Sequence, residues 1–363
     1  MLNDRGMISG RSCWVGADLE HDGDWIFPLD DGHIAEIDGA LASVKHRPLY
    51  GYTRADFPLF RTADLLERLS EELENGYGCA RLRGLPGDRY TEHELRQVFW
   101  GIGLYMGTAV YQNRDGEIMG EVLDRTRDPK YRALAGPGKV VSSRAKALSN
   151  GELRFHTDGS DVIALFCVRP ASRGGETKLA SVATIYNEMR RRRPDLLEHL
   201  FRDYVRVWPS RADRPGEIPT FALPVFGMRD GKITTQYTRT AVEQAQEIDS
   251  VPLLSDAQDS ALDLHAEIAE ATCLRAPFLP GDMQFVNNHA VYHSRTAFDD
   301  GGAANREGRL MLRLWFSMPN SRALPVGFAS YWGGVEAGVL RGGVPQRDGS
   351  RAPMTPQPAP MFA

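Results

Sequence analysis

The strongest constraint on the fold is one uninterrupted apolar run of strand length, Asp161 to Pro170 (DVIALFCVRP). A strand with one face in water alternates polar and apolar residues, so a run that is apolar throughout predicts a strand covered on both faces. Two further strands are predicted downstream, over Met283 to Arg295 and over Arg309 to Met318. The sequence therefore predicts a buried sheet.

The segments around these strands are predicted as helices and a hairpin. Residues Thr62 to Gly76 place leucines on one helical face and end at a glycine, and Thr91-x-x-Glu94 is a capping box that opens a second helix. Asp230-Gly231 predicts a hairpin turn, and Ser255-x-x-Gln258 caps a later helix. Strands that follow helices without regular alternation favour a mainly β sandwich or barrel with flanking helices over a two-domain parallel α/β fold.

Composition excludes several classes of protein. The net charge of −5 provides no broad cationic surface for nucleic acid or anionic lipid. Four scattered cysteines without a Cys-x-x-Cys pair argue against a structural zinc site and a disulfide framework. The N-terminus lacks an apolar signal region, and no run approaches 18 apolar residues. We expect a soluble cytoplasmic protein with no nucleic-acid or membrane partner, and the oligomeric state, a homo-oligomer included, stays open.

A histidine and an aspartate lie two residues apart, just before the buried strand, in the triplet His156-Thr157-Asp158. Residues i and i+2 of an extended chain point to the same side, so both side chains can reach one metal ion. A third ligand from a distant strand would complete the two-histidine, one-carboxylate set that suits Fe(II) and leaves positions open for a co-substrate and oxygen. His293 is the candidate, and His289 is the alternative, because four residues along an uninterrupted strand preserve the face.

The predicted strand Arg309 to Met318 carries charge on one face only. Arg309, Arg313 and Trp315 share that face, while leucines and a phenylalanine form the other. A buried arginine requires an anion, because an unpaired buried charge costs several kcal/mol, and its forked donors match a carboxylate. The missing anion could be a dicarboxylate that also chelates the metal.

Four separated segments carry a family resemblance in one order: HTD at 156–158, GGET at 174–177, PGDMQFVNNHAVYHSRTAF at 280–298 and GRLMLRLWFS at 308–317. Over about residues 78–320 the chain resembles the taurine dioxygenase / 2,4-D dioxygenase (TauD/TfdA) family of Fe(II)- and 2-oxoglutarate-dependent oxygenases. The resemblance implies a double-stranded β-helix, the jelly roll of clavaminate synthase-like proteins, with helices packed outside it.

The resemblance also implies roles for individual residues. Iron would be held by His156, Asp158 and His293, and the Thr177 hydroxyl would help to bind the distal carboxylate of 2-oxoglutarate. Arg309 is expected to bind that carboxylate and Arg313 to be a second anion contact, although the two assignments could be exchanged.

The expected activity is that of an oxidoreductase, a dioxygenase that uses O2 to oxidise an unidentified small molecule while 2-oxoglutarate becomes succinate and CO2. Asp158 favours hydroxylation over halogenation, because a small residue there would leave room for chloride. Desaturation, demethylation and ring closure stay open as outcomes. The rival interpretations are a metal enzyme of the same fold that does not use 2-oxoglutarate, and a binding or regulatory protein without turnover.

The expected organisation is an N-terminal extension (1–60), an oxygenase domain (61–325) with a lid-like insertion at about 105–155, and a C-terminal extension with a Pro-rich tail (326–363). Arg295 is interpreted as a structural residue that pairs with Asp299 or Asp300. Several loop residues could face a substrate or could simply pack: Tyr111, Gln112, Asn113, Tyr331, Trp332, Asn287 and Asn288.

Overall fold

The computed structural model describes residues 6–128, 131, 143–208, 219–301 and 307–353. The helices are α1 (Gly16–Asp22), α2 (Asp31–Val44), α3 (Arg61–Asn75), α4 (Glu92–Met106), α5 (Ser143–Ala147), α6 (Val182–Arg192), α7 (Pro194–Leu200), α8 (Arg239–Ala245), α9 (Asp256–Thr272) and α10 (Ala329–Trp332). The strands are β1 (Ile26–Pro28), β2 (Cys79–Arg83), β3 (Thr108–Ala109), β4 (Met119–Val122), β5 (Leu153–His156), β6 (Val162–Arg169), β7 (Arg173–Gly174), β8 (Thr177–Ser181), β9 (Asp203–Val207), β10 (Thr220–Pro224), β11 (Phe226–Arg229), β12 (Lys232–Thr235), β13 (Leu274–Ala276), β14 (Met283–Asn287), β15 (Val291–Arg295), β16 (Phe298–Asp299) and β17 (Leu310–Ser317).

The larger sheet has the strand order β1-β2-β14-β6-β17-β3, and β4 also pairs with β17. The apolar strand β6 lies between β14, with which it pairs over 162–166, and β17, with which it pairs over 162–169. Phe166 of β6 packs with helices α2, α3 and α4 on one face of the sheet. Ile163 packs on the other face with Leu179 of β8, which belongs to the second sheet. The predicted coverage of this strand on both faces is confirmed.

The second sheet has the order β13-β8-β15-β5. Its inner face meets the larger sheet, and its outer face is covered by α6, α7 and α9, where Ala180 and Tyr292 join the same apolar cluster as Ile185 and Leu262. The core therefore consists of two sheets face to face, with helices on both outer sides, and three further strand pairs, β9-β10, β11-β12 and β7-β16, lie outside these two sheets. The space between the two sheets is where side chains from β5, β8, β15 and β17 can meet.

The predicted single strand Met283 to Arg295 is wrong, because the structure divides it into β14 and β15, which lie in different sheets. Between them the chain turns: the Asn287 side chain accepts a hydrogen bond from the backbone N–H of His289, and its carbonyl accepts one from Ala290. An asparagine that bonds its own following backbone favours a turn over a continuous ladder. His289 therefore does not share a strand face with His293.

Several local predictions are confirmed by the structure. The Thr91 hydroxyl and the Glu94 carboxylate bond reciprocally to each other's backbone N–H at the start of α4, and Ser255 and Gln258 do the same at α9. Asp230 and Gly231 both have positive φ, 50° and 75°, as the tight turn between β11 and β12 requires. In the part of the chain that the structure describes, no helix is long and apolar enough to cross a membrane.

The segments outside the central strands contribute to the two sheets and to the space between them. In segment 1–60, β1 pairs in parallel with β2, and α2 packs in the core with α3. In segment 105–155, β3 and β4 both pair with β17. Part of the predicted lid, 129–130 and 132–142, and the Pro-rich end, 354–363, lie outside the described residues. Gly343 donates a backbone hydrogen bond to the carbonyl of Gly159, beside the His-x-Asp triplet.

A fully buried histidine of α9, His265, has no hydrogen-bond partner on either ring nitrogen among the described residues. Its ring lies between Tyr237 and Tyr292, with centroid distances of 4.3 and 4.8 Å. Burial, with a smaller contribution from Arg239, lowers the pKa of His265 from 6.5 to about 3. The folded protein therefore resists protonation at this site, whereas the unfolded chain takes up the proton below about pH 6.5.

We predict that His265→Leu makes the protein less sensitive to acid. A difference of one unit between the pKa values in the folded protein and in the unfolded chain is worth about 1.4 kcal/mol. Because of this imidazole, the free energy of unfolding of the wild type should fall by roughly 2 kcal/mol between pH 7.5 and pH 5. Urea unfolding at both pH values measures the loss, which should be smaller by that amount in the variant. His46→Gln, at an exposed histidine, is the control. An equal loss in His265→Leu and wild type would contradict the prediction.

Candidate metal centre

Two histidines face each other because of the register between β5 and β15. In this antiparallel pair, His156 lies directly opposite His293. The two imidazole rings approach to a centroid distance of 4.2 Å, with 51° between their planes. Two residues from distant parts of the sequence therefore present their ring nitrogens to one point between the sheets.

Asp158 supplies a carboxylate to the same point from the turn after β5. Its Oδ1 lies 3.9 Å from Nε2 of His156, and its Oδ2 lies 3.7 Å from Nε2 of His293. One ligand atom from each of the three residues falls within 4.8 Å of the other two. Nitrogen and oxygen donors at this spacing fit a single divalent transition-metal ion, and two histidines with one carboxylate is the donor set of non-haem Fe(II) sites.

The surrounding residues hold Asp158 in place. The side-chain carbonyl of Asn288 accepts a hydrogen bond from the backbone N–H of Asp158 at 3.0 Å. The indole N–H of Trp315, on β17, donates to Oδ2 of the carboxylate at 3.1 Å. Hydrogen bonds of this kind fix the orientation of a ligand before the metal arrives. Asn288 thus holds the turn in place, and Trp315 holds the carboxylate of Asp158.

The protonation states also suit metal binding. Burial, with a smaller contribution from the neighbouring His293, lowers the pKa of His156 from 6.5 to about 4. Because Nδ1 of His156 lies 2.9 Å from the carbonyl of Arg154, this nitrogen carries the ring proton and Nε2 keeps its lone pair. Burial alone would raise the pKa of Asp158, but His293, Arg313 and His156 outweigh it and hold that pKa well below its usual range.

The alternative ligand, His289, belongs to a different cluster. Its Nε2 contacts Oδ1 of Asp161 at 2.8 Å, and its Nδ1 contacts the hydroxyl of Thr234 at 2.7 Å. The same aspartate accepts from Nε of Arg341 at 2.7 Å. Both ring nitrogens of His289 are therefore engaged away from the three-residue centre.

A small cavity of about 50 Å³ adjoins the three residues and is lined by Thr177, Arg295, Arg309 and Arg313. Arg309 is 4% exposed, its Nη1 has no hydrogen-bond partner, and none of the described carboxylates forms an ion pair with it. Burial lowers its pKa to about 10, so it remains a cation. An unpaired buried guanidinium beside the donor set is the feature that calls for an anionic ligand in this cavity.

The interpretation of Arg295 as a partner of Asp299 or Asp300 is wrong. Its guanidinium donates to the backbone carbonyls of residues 147, 149 and 151, and Asp299 pairs with Arg173 instead. Three carbonyl acceptors from one loop satisfy a guanidinium that burial has separated from water. Arg295 therefore fastens the segment before β5 to β15.

Arg313 differs from Arg309 in its surroundings. It is only partly buried, and its Nε donates to Oε1 of Gln112 at 2.6 Å. Gln112 in turn donates from Nε2 to the carbonyls of Ile118 and Arg313, so its side chain is held on three sides. Arg313 lines both the small cavity and the larger one described next.

A larger cavity, of about 730 Å³, is also lined by His156 and Asp158. Three of the aromatic rings that line it lie together: Tyr331 lies 4.9 Å from Trp208 and 5.0 Å from Phe221 between centroids. Of the loop residues left open by the sequence, Gln112 and Tyr331 line this cavity, whereas Trp332 is buried in the core. Trp208 and Phe221 carry no sequence signal of this role, because nothing local in the sequence relates them to the triplet at 156–158.

Comparison with known proteins assigns the class. Residues 45–315 match the family model described as "Taurine catabolism dioxygenase TauD, TfdA family". Since this match covers most of the chain, the protein belongs to the TauD/TfdA family of dioxygenases, and it is an enzyme of the oxidoreductase class.

Two curated relatives are similar over most of the chain. The FR-33289 synthase of Streptomyces rubellomurinus (strain ATCC 31215) is 31% identical over 340 residues, which cover 91% of this chain and 96% of the relative. A uridine-5'-phosphate dioxygenase of a Streptomyces species is 30% identical over 271 residues, which cover 70% and 89% of the two chains.

Solved structures share the fold at low sequence identity. An asparagine oxygenase in complex with Fe(II), 3-hydroxyasparagine and succinate superimposes with a TM-score of 0.59 at 16% identity, over 81% of this chain and 93% of that one. The non-haem iron oxygenase OrfP in complex with Fe and α-ketoglutaric acid gives 0.58 at 14% identity, over 80% and 93%. The fold is thus that of known non-haem iron oxygenases.

We predict that Trp315→Phe weakens divalent-metal binding about tenfold, because it removes the N–H that orients Asp158. Isothermal titration calorimetry with Mn(II) measures the affinity. Trp100→Phe is the matched control, since Trp100 is equally aromatic and buried but its N–H has no partner in the described structure. Equal Mn(II) affinity in Trp315→Phe and wild type would show that the indole does not hold the carboxylate.

Proposed function

We propose that the protein is an Fe(II)- and 2-oxoglutarate-dependent dioxygenase that hydroxylates a small molecule and converts 2-oxoglutarate and O2 to succinate and CO2. The observation that carries the proposal is the juxtaposition of two features. The donor set of His156, Asp158 and His293 adjoins a small cavity that contains the unpaired guanidinium of Arg309. A 2-oxo dicarboxylate has the chemistry to satisfy both features at once, chelating a metal at one end and pairing with a guanidinium at the other.

In this proposal His156, Asp158 and His293 hold the iron. Fe(II) in such a site supplies O2 activation and the oxidation of the substrate C–H bond, and three protein ligands leave room for the co-substrate. The protein residues provide two imidazole nitrogens and an ionised carboxylate at one point between the two sheets. The carboxylate of Asp158 occupies the position that a halide would need, which supports hydroxylation over halogenation.

We assign the distal carboxylate of 2-oxoglutarate to Arg309 and Thr177. Arg309 has free donors and is buried, whereas Arg313 already donates to Gln112 and reaches the larger cavity. Arg313 is accordingly proposed as a contact for the substrate. The larger cavity, with its aromatic rings and this guanidinium, is the proposed substrate site, and its volume lies within the range of small-molecule pockets.

The two facing sheets support a double-stranded β-helix, or jelly roll, as the core of the fold. We retain residues 61–325 as the proposed catalytic domain, with 1–60 and 326–363 as extensions. The four cysteines are free, which supports the proposal of a reducing, cytoplasmic compartment.

The first test is binding of the metal and co-substrate without oxygen. Anaerobic addition of Fe(II) and 2-oxoglutarate should produce the weak visible charge-transfer absorption of a chelated 2-oxo acid, and His156→Ala or Asp158→Ala should abolish it. If the folded wild type gives no such band, the proposal fails. If metal binds but 2-oxoglutarate does not, the rival enzyme that uses another co-substrate is favoured. A band without succinate formation for any tested substrate favours the binding protein.

A second prediction separates the two arginines. Arg309→Met should weaken 2-oxoglutarate binding at least a hundredfold, because it removes a charge-assisted, forked contact from a buried carboxylate. Arg313→Met should leave that affinity within about threefold. Titration of the Mn(II)-loaded variants with 2-oxoglutarate measures both. A larger loss in Arg313→Met than in Arg309→Met would exchange the two assignments.

A further inference from the structure

A buried chain of polar groups ends at the hydroxyl of Thr177. On the larger sheet, Arg81 of β2 lies directly opposite Gln284 of β14, and its Nη2 donates to Oε1 of Gln284 at 2.7 Å. The amide Nε2 of Gln284 then reaches across to the second sheet and donates to Oγ1 of Thr177 at 3.1 Å. All three side chains are buried, at 0%, 1% and 4% exposure.

The direction of these hydrogen bonds is fixed by Arg81. A guanidinium has donors only, so the glutamine must turn its carbonyl oxygen towards Arg81 and its NH2 towards Thr177. The hydroxyl oxygen of Thr177 is therefore the acceptor of this hydrogen bond. Its single proton is left to be donated elsewhere, and no acceptor for it is present among the described residues.

Arg81 itself is held in one position. Its Nη1 donates to the carbonyl of Pro277 at 2.7 Å, and its guanidinium lies between the rings of Trp25 and Phe278, 4.7 and 4.5 Å from their centroids. The carboxylate of Asp282, shared with Arg83, lies 3.6 Å away and compensates part of the charge. If Arg81 moved away from Gln284, the buried side-chain oxygen of the glutamine would be left without a hydrogen-bond donor. The orientation of the amide is therefore set by the fold.

We propose that Gln284 and Arg81 are positioning residues that force the Thr177 hydroxyl to act as a hydrogen-bond donor to the distal carboxylate of 2-oxoglutarate. The inference rests on the proposed function, because Thr177 lines the same small cavity as Arg309. A carboxylate accepts hydrogen bonds only, so a hydroxyl whose proton points elsewhere would repel it. With the amide in this orientation, the hydroxyl is prepared for an anion before the ligand arrives.

The central variant is Gln284→Met, which removes the amide but keeps the length of the side chain. We expect 2-oxoglutarate to bind about tenfold more weakly to the Mn(II)-loaded protein, because the hydroxyl is free to turn its proton away. Arg81→Met should have a similar effect, since the glutamine amide can then flip and accept the threonine proton. Isothermal titration calorimetry measures the affinities, and thermal unfolding confirms that each variant is folded.

Two controls distinguish this role from general support of the fold. Pyruvate has the chelating 2-oxo acid but no distal carboxylate, so its affinity should be the same in wild type, Gln284→Met and Arg81→Met. Gln97→Met removes another buried glutamine amide, within α4, and should change neither affinity.

A double-mutant cycle tests whether the effect passes through the hydroxyl. Thr177→Val alone should weaken 2-oxoglutarate binding about tenfold, and adding Gln284→Met to the Thr177→Val variant should cause no further loss. Should Gln284→Met not fold, the isosteric Gln284→Glu replaces it. Its carboxylate accepts from both Arg81 and Thr177 and should weaken 2-oxoglutarate by more than about tenfold.

The inference is overturned if Gln284→Met binds 2-oxoglutarate like the wild type, if pyruvate loses as much affinity as 2-oxoglutarate, or if the losses from Gln284→Met and Thr177→Val are additive. These results leave the proposed function intact. The proposed function itself fails in a different way, when the Mn(II)-loaded wild type does not bind 2-oxoglutarate at all, and the inference falls with it.

Discussion

The site depends on the register of one pair of strands. Because β5 and β15 pair so that His156 lies opposite His293, the two imidazoles meet between the sheets, and a slip of one residue would turn one of them to the other face. The outer side of β15 is fixed by Tyr292, which is buried among α6, α7 and α9, so the hydrophobic core determines which side chains face inwards. The alternation of outward-facing and inward-facing side chains along β15 thus determines both the packing of the core and the position of His293 in the candidate metal centre.

Buried positive charge sets the chemistry of the adjoining cavity. Arg81 and Arg295 are buried, but each finds acceptors in the chain: a carbonyl and a glutamine for the first, three loop carbonyls for the second. Arg309 finds none among the described residues. This difference explains why Arg309 calls for an anionic ligand while Arg81 and Arg295 are bound within the chain. It also explains why a hydroxyl with a directed proton is useful beside it, since two donors of different shape can hold one carboxylate.

The sequence predicts features that are local and misses those that depend on distant partners. The apolar run of β6, the His-x-Asp triplet and the alternation of β17 are each contained in a few residues, so they could be read directly. The chain breaks between β14 and β15 because β14 pairs with β6 in the larger sheet and β15 pairs with β8 in the second sheet. Arg295 donates hydrogen bonds to carbonyls of a segment that lies far earlier in the chain. The path from Arg81 to Thr177 joins strands from both sheets and has no local signature.

The most direct test of the account is a crystal structure of the protein soaked anaerobically with Fe(II) and 2-oxoglutarate, with anomalous scattering measured at the iron edge. The account predicts one iron peak bound by His156, Asp158 and His293, with the distal carboxylate of 2-oxoglutarate on Arg309 and Thr177. An iron peak at the His289 and Asp161 cluster, or a distal carboxylate bound to Arg313 instead of Arg309, would contradict it.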